Sequence, residues 1–443
     1  MSSEAFEVGL LSPGTLGHDA AVSDAAIVDA LVAAEVALAR AYATLGLADP
    51  GTAAAVSDAL GWQGPGRGCS GHGVDAAALA AAGVAGGNPV IPLVGLLRDR
   101  VPESARAWIH RGATSQDILD TALVLVAAAA ADAILADLAR AADALAALAH
   151  AHRDVPAAAR TLTQHAVPTT VGARIAVWVR SIRRAATRLA AARSALPAQL
   201  GGAAGTLSAV VADVGADAAA ALPSAFADEL GLAAAAAPWH TERWPITELG
   251  DALVQSIDAL GAMAADVATL GRTEIAELAE PSAGGSSAMP QKANPVASVL
   301  LRATALRAPQ LGATLHLAAG AAVDERPDGA WHAEWAPLRE LLRLALGGAA
   351  HAVVIAEGLR VDRAAVARNL SLTGGLLLAE RLRPVLVPRI GAARFAELLA
   401  GDGDLAARLR ELPEADDLDV DALLDPAGYL GLAPTFADRT DPS

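Results

Sequence analysis

TSQDILDTALVLVAAAAADAILADLARAADALAALAH, running from Thr114 to His150, contains neither proline nor glycine. Proline breaks a helix by removing a donor and clashing with the preceding turn, and glycine weakens it through backbone freedom. Their absence permits one unbroken helix of about 37 residues, roughly 55 Å long at ~1.5 Å per residue. Alanine dominates the stretch and loses no side-chain entropy on becoming helical. The longest apolar run, Ala122–Ala131, stops at Asp132, after about half of the ~20 residues that a bilayer-spanning helix needs. The segment therefore reads as a buried core helix, too long for a compact globule and suited to an extended bundle.

Working outward, the same periodicity recurs. In Ala20–Leu45, Ile27, Leu31, Ala34 and Leu38 fall on one helical face. Thr169–Leu196, Pro245–Leu278, Asn294–Ala322 and Ala333–Leu359 are further long candidates. Strand signals are scarce, and runs such as Val210–Val214 are too short to build a sheet. Gly61–Gly73 has GxGxG spacing, but no strand precedes it, so it reads as a loop rather than a phosphate cradle. The fold class predicted is all-α. Beyond Leu359 the segments shorten and gain charge, ending in an acidic stretch, Glu411–Asp421. The expected division is an N-terminal helical domain (1–108), a central long-helix bundle (109–358) and a small C-terminal helical domain (359–443).

The formal charge of −16 argues against a nucleic-acid partner and against an anionic membrane surface. An anionic substrate would need a locally positive site set against that field. Cys69 is the sole cysteine, so no intrachain disulfide forms and a reducing compartment fits. The first ten residues carry Glu4 and Glu7 and no basic run, so no signal peptide is visible and a cytoplasmic location is expected. Of the 33 basic residues only Lys292 is lysine. A compact ammonium is not interchangeable with arginine's planar fork at a tight site, which marks the segment around Lys292.

That segment is GGSSAMPQKANP, Gly284–Pro295. Paired glycines, paired serines and Met-Pro do not sit comfortably inside a helix, yet long helical patterns flank them. A hydroxyl-rich loop with one cation and one amide suits closure over a carboxylate. Ser286 or Ser287 could exchange a proton, backbone N–H groups near Gly285 could hold an anion, Lys292 could neutralise a carboxylate and Asn294 could donate to it. A polar surface turn is the plain alternative. Three smaller clusters have plain structural readings: the helix-end pair His150 and His152; the face Trp331, His332 and Trp335, read as core or subunit-interface packing with pocket lining as the alternative; and the stripe Arg180, Arg183, Arg184 and Arg188, a solvated or intersubunit salt-bridging face.

The pattern GSSxMPxKxNP resembles the signature of the fumarase/aspartase superfamily. HRGATSQDILDTA (His110–Ala122) resembles the first region shared in that superfamily, and RTLTQHAVPTT (Arg160–Thr170) the second. GNPVIPLV (Gly87–Val94), GGAAGTLSA (Gly201–Ala209), PWHTER (Pro238–Arg243), DERPDGAWHAEW (Asp324–Trp335) and LDPAGYLG (Leu424–Gly431) are together similar to the 3-carboxy-cis,cis-muconate cycloisomerases, particularly their actinobacterial form.

The resemblance implies a homotetramer built on one long-helix bundle, with each active site drawn from three subunits, a small polycarboxylate substrate, and no metal or organic cofactor. It makes Ser286 the proton-transfer residue beside a carboxylate. His165 would be the second-region histidine and Glu325 the acid that orients it. Thr114 and Ser115 would hold one substrate carboxylate, with Lys292 and Asn294 holding another. His110, Gln164, Asn88, Arg326, Ser287 and Met289 would complete the binding set. The implied reaction is lactonisation of 3-carboxy-cis,cis-muconate in protocatechuate (β-ketoadipate) breakdown. The alternative is a fumarate-releasing lyase acting on a substituted succinate, of the adenylosuccinate, argininosuccinate or nitrosuccinate type. A non-catalytic structural relative is the reading from another class, and the joint presence of Ser286, Lys292, Asn294, Thr114 and Ser115 speaks against it. The chain departs from the family pattern in two motifs. Thr161 is followed by Leu162 where Thr-His is frequent, and Gln291-Lys292-Ala293 replaces the common His-Lys-Arg.

Overall fold

A computed structural model of the chain describes residues 9–281, 289, 292–401 and 403–441. Seven helices carry the argument: α1 (Asp24–Thr44), α2 (Val90–Arg100), α3 (Ser115–Ala151), α4 (Val171–Ala195), α5 (Trp244–Leu270), α6 (Val296–Gly320) and α7 (Gly329–Gly358). The start of α1 is set locally, since the Ser23 side chain accepts from the Ala26 N–H and satisfies a donor the helix leaves unpaired. The proline- and glycine-free stretch forms α3, 37 residues long. Gly61–Gly73 is a loop closed by an isolated bridge between Trp62 and Cys69. Val210–Val214 lies in the short helix Ser208–Val214.

Two expectations need correction. The helix predicted from Thr169 starts at Val171, because Thr169 and Thr170 end a strand. That strand, β2 (Gln164–Thr170), pairs antiparallel with β1 (Pro156–Thr161), with Arg160 opposite His165 and Thr161 opposite Gln164. Leu162 and Thr163 connect them with φ of 50° and 71°, the doubly left-handed geometry whose twist matches a two-residue hairpin. Such turns usually announce themselves by Asn-Gly or Asp-Gly, and Leu-Thr gives no such signal. The helix predicted to reach Leu278 ends at Leu270. Gly271 follows, Ala276 takes φ of 52°, and Leu278–Ala279 (β3) pairs with Arg360–Val361 (β4).

The chain divides into two compact units. Unit 1 takes the chain up to Ala136, with Ala186–Ile257 and Thr304–Ala350; unit 2 takes Asp137–Ala185, Asp258–Ala303 and the chain from His351. The division cuts α3 to α7, each too long for one unit, whereas the sequence division followed chain order. Within unit 1, α1 buries Leu31, Val32, Val36 and Leu38 almost completely and packs against Ala216–Leu230 and Pro50–Leu60. Each such side chain contributes about 1.5–3 kcal/mol. Within unit 2, the late helices gather their own apolar cluster from Leu382, Leu386, Phe395, Leu405, Leu409 and Val420. By length and composition α3, α5 and α7 could cross a membrane, yet 72%, 50% and 67% of their apolar windows are buried in the fold.

Candidate active site

The first turn of α3 organises unit 1. Asp117 is fully buried, and both of its carboxylate oxygens are engaged. Oδ2 accepts from the Thr114 and Gly202 N–H groups, each at 2.9 Å. Oδ1 accepts from the Gly201 N–H at 2.9 Å and from His240 Nε2 at 2.7 Å. A carboxylate near a helix N-terminus also meets the positive end of the helix dipole. Thr114 and Ser115 therefore open α3 beside the glycine turn at 201–205, with both side chains half-buried. The turn admits nothing larger at Gly201, where an added Cβ would lie 2.6 Å from Pro238 Cβ. Gly202 has φ of 71°, a region glycine enters without the Cβ penalty.

His110 is held from α1. Its backbone takes φ of 63°, its N–H donates to Glu35 Oε2 at 2.8 Å, and its Nδ1 lies 2.7 Å from Glu35 Oε1. Glu35 is wholly buried amid the apolar face of α1. Burial pulls the imidazole pKa down. The Glu35 hydrogen bond and charge, with the charge of Asp117, outweigh burial, so the pKa stands above the ordinary histidine value despite Arg98.

One turn further along α3, buried Asp120 accepts from Arg243 Nη1 at 2.7 Å and from Trp331 Nε1 at 2.8 Å. Arg243 also binds Glu334 and lies over the Trp239 ring, 4.8 Å from its centroid. Burial and Asp120 push the Glu334 carboxyl up against the opposing pull of Arg243. This network ties PWHTER and α7 to α3 and gives Trp331 a structural role.

Arg326 donates from Nη2 to the Ala203 carbonyl at 2.7 Å and has no carboxylate partner among the described residues. Glu325 beside it is exposed. The Asn88 amide is taken up locally, its oxygen accepting from the Val90 N–H at the start of α2 and its nitrogen donating to the Gly86 carbonyl. His332 Nε2 lies 2.9 Å from the Gly87 carbonyl.

In unit 2, Gln164 is exposed and His165 half-buried, at the turn end of the hairpin. Buried Glu277 anchors that hairpin by accepting from Arg160, Arg174 and Asn369. Burial alone would raise the Glu277 carboxyl, but Arg160, Asn369 and Arg174 bring it below the usual range. Ser286 and Ser287 lie outside the described residues. Met289 and Lys292 are exposed, and the Lys292 N–H donates to the Met289 carbonyl at 3.0 Å. Asn294 is half-buried, its carbonyl accepting from the Val296 N–H. Glu280 accepts from the Ala297 and Ser298 N–H groups at 3.1 and 2.8 Å, so the chain just before the signature caps the helix just after it.

Unit 1 thus carries Thr114, Ser115, His110, Asn88, Glu325 and Arg326, and unit 2 carries Gln164, His165, Met289, Lys292 and Asn294. Sequence reasoning missed Asp117, Glu35, His240 and Glu280. An acid in the first turn of a helix is a recognisable start signal and marks Asp117; no comparable local signal marks the others. His150 pairs with Asp438, and His152 Nδ1 lies against the Leu148 carbonyl. In the arginine stripe, Arg180 donates to the Phe436 and Arg439 carbonyls and Arg183 pairs with Asp143 and Asp441, so these two fasten the C-terminal segment.

Comparison with known proteins follows the same lines. The Lyase family profile matches residues 79–309. Nitrosuccinate lyase of Streptomyces davaonensis is 47% identical over 97% of this chain and 94% of its own length. The chain belongs to the fumarase/aspartase superfamily. As a superfamily member it is an enzyme of the cycloisomerase and lyase class. The 3-carboxy-cis,cis-muconate cycloisomerase of Pseudomonas aeruginosa is 40% identical over 95% of this chain and 92% of its own. The crystal structure of the 3-carboxy-cis,cis-muconate lactonizing enzyme from Pseudomonas putida superposes with a TM-score of 0.85 at 38% identity, covering 94% of each chain.

Proposed function

We propose that this enzyme eliminates nitrite from nitrosuccinate, releasing fumarate. Ser286 takes the proton from the carbon beside one carboxylate, the electron pair forms the new double bond, and the C–N bond to the nitro group breaks. The observation that carries this reading is 47% identity to a nitrosuccinate lyase over 97% of the chain, against 35–40% to the cycloisomerases. The signature supports it through charge. Gln291 and Ala293 flank Lys292 where the family often has His and Arg, and a site with fewer cations suits a dicarboxylate better than a tricarboxylate.

In this reading Thr114, Ser115 and Arg326 receive one carboxylate, and Lys292 and Asn294 the other. Negative charge accumulates on the carboxylate beside the departing proton, and preorganised donors stabilise it there. His165, oriented by Glu325, is the second acid–base group, and His110 lines the pocket.

Lactonisation of 3-carboxy-cis,cis-muconate is the second reading, favoured by the near-complete superposition on the lactonizing enzyme. One assay separates them. Fumarate and nitrite appearing in equal amounts from nitrosuccinate supports the first reading. Loss of the carboxymuconate diene absorbance, with no turnover of nitrosuccinate, overturns it in favour of the second.

The same reading carries a cytoplasmic homotetramer whose active sites are shared among three subunits. Val299, Leu306 and Leu317 support it. They recur along α6 after two and three helical turns, and they are 52%, 75% and 73% exposed, an apolar row suited to a neighbouring helix.

A further inference from the structure

The histidine of PWHTER has no task in the chemistry above. His240 is 3% exposed, and its Nε2 lies 2.7 Å from Asp117 Oδ1. Its Nδ1 is buried without a hydrogen-bond partner among the described residues. The ring lies against the glycine turn. A Cβ built on Gly201 would fall 2.9 Å from its Cε1, and one built on Gly205 would fall 3.8 Å from its Nδ1.

Asp117 is saturated. A carboxylate offers about four lone-pair directions, and the Thr114, Gly201 and Gly202 N–H groups with His240 Nε2 occupy them. Neither residue has a polar atom left to offer a substrate except the buried His240 Nδ1, so what the pair sets is geometry. Thr114 is bound directly, and Ser115 follows it in the chain. The turn is bound through two consecutive N–H groups, and Arg326 leans on that turn through the Ala203 carbonyl. One buried carboxylate thereby sets the register of the groups read above as binding one substrate carboxylate.

We propose that Asp117 and His240 are positioning residues that hold Thr114, Ser115, the 201–205 turn and Arg326 as a single carboxylate-binding surface. The proposal rests on the fumarate-releasing reading, so fumarate is the probe. Calorimetric titration of the full-length protein with fumarate would compare wild type with Asp117→Asn, His240→Leu and His240→Gln, alongside KM and kcat for nitrosuccinate.

Misplacement of a binding group by about 1 Å costs ~10²-fold. Asp117→Asn and His240→Leu are expected to weaken fumarate binding and raise KM by about that factor, with kcat changing less. His240→Gln puts an N–H where Nε2 was and should recover most of the loss. Should Asp117→Asn fail to fold, the two His240 variants decide. Folded variants that bind fumarate as wild type does, or a glutamine variant as impaired as the leucine variant, would overturn the positioning role alone. Wild-type protein that does not bind fumarate would overturn the functional reading and this inference with it.

Discussion

His110 shows how a single residue is tuned by neighbours distant in sequence. Its imidazole meets Glu35, 75 residues away, at 2.7 Å, and its pKa is raised although burial opposes the shift. The sign follows from linkage: a folded-state pKa above the unfolded value stabilises fully below about 6.5, the unfolded value, and that contribution is lost as pH rises through the raised pKa. Thermal unfolding midpoints should therefore fall as pH is raised from about 6 through the raised pKa, and Glu35→Gln should flatten that dependence; an unchanged slope in the variant would remove Glu35 as the cause. The motif alone proposes Ser286 as the proton-transfer residue. Its replacement by alanine should cost about 10²–10⁴ in turnover, the scale of a proton-transfer group, while the particle mass by light scattering stays the same. Near-normal turnover would take Ser286 out of the proton transfer.

At the scale of elements, legibility follows how local the cause is. The bounds of α3 lie within one residue of the predicted Thr114–His150, because helix formation depends on neighbours three and four residues apart. The β1–β2 hairpin was not legible, since its turn is made by two exposed non-glycine residues in left-handed geometry, set by the pairing of the strands they join and not by a turn signal of their own. The glycine turn is intermediate. Its glycines announce a turn, but the reason Gly201 must stay small is Pro238, supplied by a distant segment. Gly201→Ala should lower stability by about 1–3 kcal/mol through overpacking, read as a lower denaturation midpoint with an unchanged urea slope. A variant as stable as wild type would show that the turn shifts freely.

For the whole molecule, a formal charge of −16 favours solubility, and the exposed row of α6 is an apolar feature suited to cover by a neighbouring helix. Leu306, 75% exposed, lies at the middle of that row. In the proposed tetramer Leu306→Glu would bury an unpaired charge against an apolar neighbour, which is strongly unfavourable. If the proposed tetramer forms through this row, the variant shifts towards smaller species than wild type in analytical ultracentrifugation; an unchanged assembly would move the interface elsewhere.

The sequence by itself determined the long-helix architecture and the superfamily, and it proposed the motif residues Thr114, Ser115, Lys292 and Asn294 for the site. Each depends on a contiguous run whose periodicity or composition is its own signal. Tertiary structure alone decided that Asp117 meets His240, 123 residues away, that Glu35 tunes His110, and that Glu280 caps the helix beyond the signature. Those pairings arise because buried charges must find partners when the chain collapses, and their separation in sequence carries no period from which they could be read.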